Sequence, residues 1–442
     1  MPHALRYLLI APILMMHLCL AGAASAQGRG MGGGMPGGPL GGIPGGGVGH
    51  FPSTFDPPSH RPAGSEANEA GGRAFGQERA AQAQSERLSK PQIDRAAALA
   101  KAYPANYELD RHGALIIRGE VLVMGLDPAQ LARLERQGFS ILRRSAVADL
   151  GITLVAIARD GQPAVQTMRA LQRAEPRGSY ALNHVMFESG RRNSPQRRAA
   201  QPASPAGANG PVNVGLIDTG VARAVDNGRV RVIRRNFAPG ESKPELHGTA
   251  VASLLAREPG PVVIYAADIF GSDRRGGTSE LLIEALGWMA GARVPVINVS
   301  IIGPPNPLVG AVTGKLIGRG FTIVAPVGND GAAGKLLFPA SYPGVVAVSG
   351  AGPDGRLLPE ASRVSQVDFA APGIATVPDI AGRGTLVRGT SFAAPVVSRM
   401  IADHVRAPDP VRAREALRLV AASATRPRSD RKYYGRGFVD GR

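Results

Sequence analysis

The chain has one cysteine in 442 residues, Cys19, and it lies in the first apolar stretch. A disulfide framework is therefore excluded, as are cysteine-based zinc sites further along. Aromatic residues make up only 5%, with a single tryptophan. With so few stacking side chains and no zinc-finger spacing, no nucleic-acid partner is expected. Acidic residues are also scarce: 34 Asp and Glu stand against 51 Lys and Arg, a net charge of +17. The arginines are spread along the chain, a balance that suits acidic envelope polymers or lipid headgroups. Its first apolar run, Leu8 to Leu20, is short for a membrane span.

What is present begins with the pattern of a secretory signal over residues 1–26. Arg6 supplies the positive start, Leu8 to Leu20 the apolar stretch, and Ala24-Ser25-Ala26 the small residues before Gln27. His17 and Leu18 precede Cys19, where a lipidation signal has small residues. The mature protein is thus expected to be secreted or periplasmic, without cysteine, and held by packing alone. With 44% hydrophobic residues it can build a large core.

Residues 27–103 are rich in Gly, Pro and Ala and read as largely disordered, with a short helix from Ile93 to Ala102. The pattern changes over 104–190. Strand-like Ala114 to Val123 precedes Asp127-Pro128, a helix cap and first-turn proline. Strands at 139–142 and 152–157, a helix from Pro163 and a last strand from Tyr180 to Phe187 follow. The order β-α-β-β-α-β predicts a small ferredoxin-like α+β domain. Residues 191–210 form a polar, Arg-rich linker and a candidate cleavage region. From 211 to 442, strands alternate with helices, which predicts an α/β fold with a mostly parallel sheet covered on both faces.

Three strings in this last region carry chemistry. Asp218-Thr219-Gly220 follows the apolar strand Val214 to Ile217, at a strand's carboxyl end where ligand sites form in open α/β sheets. His247-Gly248-Thr249 opens a helix. Gly389-Thr390-Ser391 leads into Phe392-Ala393-Ala394-Pro395, a tight helix start where free N–H groups favour developing negative charge. A serine hydroxyl is a weak nucleophile until a base takes its proton, and the base needs an orienting carboxylate. Asp218, His247 and Ser391 supply those three roles. Asn329, in Val327-Gly328-Asn329-Asp330-Gly331 after a buried strand, is the candidate oxyanion donor beside the Ser391 N–H. Read singly, each string also fits a turn or cap; together they point to acyl transfer.

These strings resemble the signatures of the subtilisin-like serine peptidases, the subtilases, over residues 211 to 442. The resemblance implies a three-layer subtilisin-like fold and a serine endopeptidase working through an acyl-enzyme. Val296-Ile297-Asn298-Val299-Ser300 resembles the family's substrate-binding strand, which implies that Asn298, Ser300 and Ile301 bind substrate, with Gly328 and Leu337 at the specificity pocket. Asp368 to Gly373 and Tyr434 to Val439 resemble two further landmarks. By position, the β-α-β-β-α-β domain resembles the family's propeptide, an intramolecular chaperone and inhibitor removed on maturation.

The departures are Ala250, where the family usually has a second histidine, Ile301-Ile302-Gly303 in place of a glycine-rich run, and Leu337 in place of a pocket glycine. The added bulk predicts a narrow pocket preferring small residues before the scissile bond; Asp330 offers the opposite preference, for a basic residue. No Asp/Asn calcium loop stands out, no metal ligand or cofactor is assigned, and a structural calcium stays open. Two other readings stay open beside the enzyme: a catalytically silent subtilase-fold binding module, and an envelope-binding protein acting through its Gly-rich and basic segments.

Overall fold

The computed structural model describes residues 88–189, 191–192, 210–273, 276–335, 337–364, 366–427 and 431–441. The expected signal peptide 1–26, the Gly-rich stretch and most of the 191–210 linker lie outside these residues.

The N-terminal region starts with helix α1 (Lys90–Ala102) and strand β1 (Tyr107–Leu109), followed by β2 (Leu115–Met124), α2 (Pro128–Arg136), β3 (Ser140–Val147), β4 (Ile152–Ala158), α3 (Ala164–Ala174) and β5 (Ser179–His184). Every pairing is antiparallel, and the strands lie in the order β5-β2-β4-β3, with β1 beside the first part of β2. This is the expected β-α-β-β-α-β arrangement. Asp127 caps α2 by accepting from Gln130 N at 2.7 Å, while Gln130 returns a bond to the Asp127 N–H at 2.8 Å. Such a box contributes about 1 kcal/mol to a helix start. α1 reaches further upstream than the expected 93–102, and it is not loose. Ala96 is buried with Tyr107, Leu115, Ile117 and Val185, so the compact region begins before residue 104.

The expected strand from Tyr180 to Phe187 is divided. β5 ends at His184, and Phe187–Glu188 form a separate strand β6; β7 is Arg191–Arg192. Both pair with the following domain.

That domain contains β8 (Val212–Asp218), β9 (Val230–Asn236), α4 (Leu246–Leu255), β10 (Val262–Asp268), α5 (Ser279–Gly291), β11 (Val296–Val299), β12 (Ile301–Ile302), α6 (Pro307–Gly318), β13 (Thr322–Pro326), β14 (Val346–Ala351), β15 (Phe369–Pro372), β16 (Ile374–Pro378), β17 (Gly384–Arg388), α7 (Thr390–Ala402) and α8 (Pro410–Ser423). Seven strands form one parallel sheet in the order β15-β14-β13-β11-β8-β10-β9. Alternate side chains enter two cores, as strand pleating requires. Leu216, Val296 and Val324 pack with α4, α7 and α8, whereas Ile217, Ile297 and Ile323 pack with α5 and α6.

The N-terminal sheet lies against the α5–α6 side. Leu122, Leu154, Ala156 and Ala181 join the Ile217 core, while Val121, Val123, Val155 and Leu182 pack with α2 and α3. Among the described residues, no helix is long and apolar enough to cross a membrane.

Candidate active site

Strand order reverses between β8 and β11, and at such a switch point the carboxyl ends of strands open onto a crevice. Asp218 is the last residue of β8 and is fully buried. Its Oδ1 accepts from the Thr219 N–H at 2.7 Å. Thr219 Oγ1 accepts in turn from the Gly248 N–H at 2.9 Å, which ties the turn to α4. Gly248 has a steric reason: a Cβ there would lie 2.3 Å from the Thr219 carbonyl oxygen. This close approach brings His247 over the aspartate, with Nδ1 2.7 Å from Asp218 Oδ1.

A carboxylate only accepts, so Nδ1 carries a proton, and in the neutral tautomer Nε2 is left as the acceptor. Ser391 Oγ lies 3.0 Å from that Nε2, at the N-terminal turn of α7. The helix is largely buried, with Val396 and Met400 partly exposed, and its N-terminal end favours developing negative charge. The Phe392 ring packs 5.3 Å from the imidazole. Asp218, His247 and Ser391 therefore form a connected chain with at most 5% of each residue exposed.

Asn329 follows β13. Its Oδ1 accepts from the Thr390 N–H at 2.9 Å, which fixes the amide orientation and leaves Nδ2 facing the cleft. Nδ2 donates to the main-chain carbonyl of Ser189. Among the described residues no hydrogen bond joins the Ser391 N–H to that carbonyl.

The cleft thus contains a peptide, and it is the chain's own. The Val185 N–H donates to the Leu115 carbonyl of β2. The Met186 N–H donates to the Gly277 carbonyl. β6 then pairs antiparallel with β12, Phe187 opposite Ile302 and Glu188 opposite Ile301. The Ser189 N–H points to the Ser300 carbonyl at 3.4 Å. Beyond the active site, β7 adds to β17, Arg192 opposite Val387 and Arg191 opposite Arg388. Helix α1 covers the segment: the Arg95 guanidinium lies 4.3 Å above the Phe187 ring, and Ser89 Oγ donates to Asp330 Oδ2 at 2.9 Å.

A cluster beneath this segment ties the two domains together. Arg143 on β3 donates to Glu120 on β2 and to Glu280 at the start of α5, with a 2.7 Å contact to Glu280 Oε2. Asn183 Nδ2 bonds both carboxylates, and Asn183 Oδ1 accepts the Glu280 N–H, satisfying a free donor of α5. Burial opposes the Arg143 charge, but the bonds to Glu280 and Glu120 outweigh it and hold the group protonated above its ordinary value. Burial pushes the nearby Glu284 carboxyl up despite a hydrogen bond from Ser145.

Of the expected substrate residues, Ser300 and Ile301 meet the segment through main chain. Asn298 does not reach it: the β11 pleat turns its side chain inward, fully buried between Ser300 and Ser398. Leu337 is 2% exposed and packs on Gly328, next to Asn329; a Cβ on Gly328, at φ +97°, would lie 2.5 Å from Leu337 Cδ1. Asp330 is engaged by Ser89. No group of three or more His, Cys, Asp or Glu that could hold a metal ion occurs among the described residues. The carboxylates that converge, Glu120 and Glu280, are taken up by Arg143, so they do not fit a calcium site. Ser189 was not foreseen as part of the site; the signal was the extended Val185 to Phe187 running into Glu188, Ser189 and Gly190.

Residues 209–437 match a family model described as the subtilase family, peptidase S8. Subtilisin E of Bacillus subtilis is 27% identical over 248 residues, 52% of this chain and 64% of that relative. Subtilisin DY of Bacillus licheniformis is 28% identical over 251 residues, 53% of this chain and 90% of that protein. The chain thus spans less than two thirds of the length of several subtilisins it matches, subtilisin E among them. Among solved structures, fervidolysin from Fervidobacterium pennivorans, a keratinolytic enzyme related to subtilisin, shares the fold with a TM-score of 0.60 at 17% identity, over 76% of this chain and 62% of that one.

Proposed function

This chain belongs to the subtilase family, and on that premise we propose that it is an exported serine endopeptidase made as a self-inhibited precursor, whose first substrate is its own Ser189–Gly190 bond. The observation that carries the proposal is the docked segment. Residues 187–189 pair with the strand leading away from Ser300, and the Ser189 carbonyl accepts from Asn329 beside Ser391.

In this reading Ser391 gives its proton to His247 Nε2 and attacks the Ser189 carbonyl carbon. Asp218 holds the imidazole in the required tautomer and stabilises the imidazolium. Asn329 donates to the oxyanion, a contact worth roughly 10²–10³-fold in turnover in enzymes of this chemistry. His247 then passes the proton to the Gly190 amine, which leaves, and water hydrolyses the Ser391 ester by the reverse sequence. The N-terminal domain stays docked as a product through the Arg143 cluster and β6, which makes it the inhibitor of the enzyme it releases. The substrates are proteins or peptides.

Ser189 in the position before the cut fits a preference for small residues, and Leu337 packed on Gly328 supplies the narrowing. The signal-like start, Arg6 followed by Leu8 to Leu20, supports export. Two experiments test the reading. Ser391→Ala should leave the precursor uncut, abolish fluorophosphonate labelling and reduce peptide turnover roughly 10⁴-fold or more; unchanged proteolysis would refute it. A peptide panel varied before the cut should favour Ala and Ser, and strong cleavage after Phe or Leu would sink the narrow pocket.

A further inference from the structure

Ser300 touches both the docked segment and the nucleophile. Its main-chain carbonyl faces the Ser189 N–H at 3.4 Å, and its hydroxyl lies 3.2 Å from the main-chain carbonyl of Ser391. The hydroxyl is also 2.7 Å from Asn298 Nδ2. The proton directions are forced. Asn298 Nδ2 can only donate, so the Ser300 oxygen accepts from it. The Ser391 carbonyl can only accept, so the Ser300 proton goes there. Asn298 is oriented by Ser398 on α7, whose one hydroxyl proton is shared between Asn298 Oδ1 and the Ala394 carbonyl, each 3.0 Å from Oγ. Asn298, Ser300, Ser391 and Ser398 are all fully buried. The polar chain therefore runs from α7 through the end of β11 and back to the first turn of α7.

We propose that Ser300 is a positioning residue that sets the separation between Ser391 and the scissile carbonyl, and that Asn298 and Ser398 act only by orienting the Ser300 hydroxyl. One end of Ser300 registers the substrate main chain and the other registers the main chain of the nucleophile. A buried network of this kind holds its shape because an unpaired member would be costly. It positions groups that must meet to within fractions of an ångström for attack. It makes no contact with the reacting atoms. Removing the hydroxyl leaves the Ser300 carbonyl free to bind substrate, so binding and turnover separate.

The inference rests on Ser391 being the nucleophile, and the test keeps the two apart. Active enzyme is counted by fluorophosphonate titration, and kcat and KM are measured on a peptide ending in Ser before the cut. Ser300→Ala should lower kcat about five- to tenfold, the scale of one neutral hydrogen bond, with KM within about twofold. Ser398→Ala alone should lower kcat about two- to threefold, and should cause no further loss in the Ser300→Ala background. Unchanged kcat in Ser300→Ala, or losses that multiply in the double variant, would overturn the proposal while labelling at Ser391 continued. Should Ser300→Ala not fold, Asn298→Ala with and without Ser398→Ala provides the same comparison: non-multiplying losses support the proposal, and multiplying losses overturn it.

Discussion

The parallel-sheet domain and the antiparallel N-terminal domain enter one cleft by different means. The parallel-sheet domain contributes side chains, and they are bonded to one another: Asp218 to His247, His247 to Ser391, Asn329 to the Thr390 N–H. The N-terminal domain contributes mostly main chain, through β6 on β12, the Ser189 N–H and carbonyl, and β7 on β17. Chemistry needs particular atoms held still, whereas a substrate needs only an extended backbone in register. On the proposed function, selectivity falls to the few side chains around the register, with Leu337 among them.

Asn329→Ala acts where the two domains touch. Turnover of added peptide should fall by roughly 10²–10³, because the oxyanion loses its side-chain donor. Docking of the N-terminal domain should weaken much less, since its ladder and the Arg143 cluster remain. Steady-state kinetics and binding of the separated fragment report the two effects, and equal losses in both would mean that the amide serves docking rather than catalysis.

Arg143→Ala reverses that pattern. Glu120 and Glu280 would face each other without their shared cation. Breaking a fully buried pair costs about 3–5 kcal/mol, but the Arg143 side chain keeps 42% exposure, so about 2 kcal/mol is expected. That corresponds to roughly thirtyfold weaker docking with kcat of the processed enzyme unchanged. Titrating the variant N-terminal fragment against active enzyme measures it.

The smallest effect is electrostatic. Glu284 has its carboxyl raised by burial, with Glu280, Arg143 and Arg235 as charged neighbours and Ser145 as hydrogen-bond donor. A raised carboxylate penalises the docked state once it ionises. The penalty is absent below the ordinary value of 4.5 and grows as pH rises through the raised value. Glu284→Gln should therefore raise the precursor's melting temperature by a few degrees at pH 7–8 and leave it nearly unchanged at pH 4. A larger gain at acid pH would contradict the sign.

How much of this was legible depended on whether the information was local. The Asp218, His247 and Ser391 strings were readable because each needs small residues at fixed offsets; Gly248 is an example, squeezed against Thr219. The β-α-β-β-α-β order was readable from periodicity and the Asp127-Pro128 cap. β9 was missed although Val230 and Val232 alternate with arginines, because its charged side chains resemble a loop. Strand position alone does not say which way a pleat faces, and the Asn298 side chain turns inward to Ser300 and Ser398. The division of 180–187 into β5 and β6 was not readable at all, since it depends on which domain supplies each partner strand.

On the proposed function, Ser189 occupies the position before the cut. Intact-mass analysis of both fragments from the purified wild-type protein tests it directly. Cleavage is expected between Ser189 and Gly190, giving an enzyme that begins at Gly190. A first cut inside residues 193–210, with the Ser189–Gly190 bond intact in the active species, would contradict it.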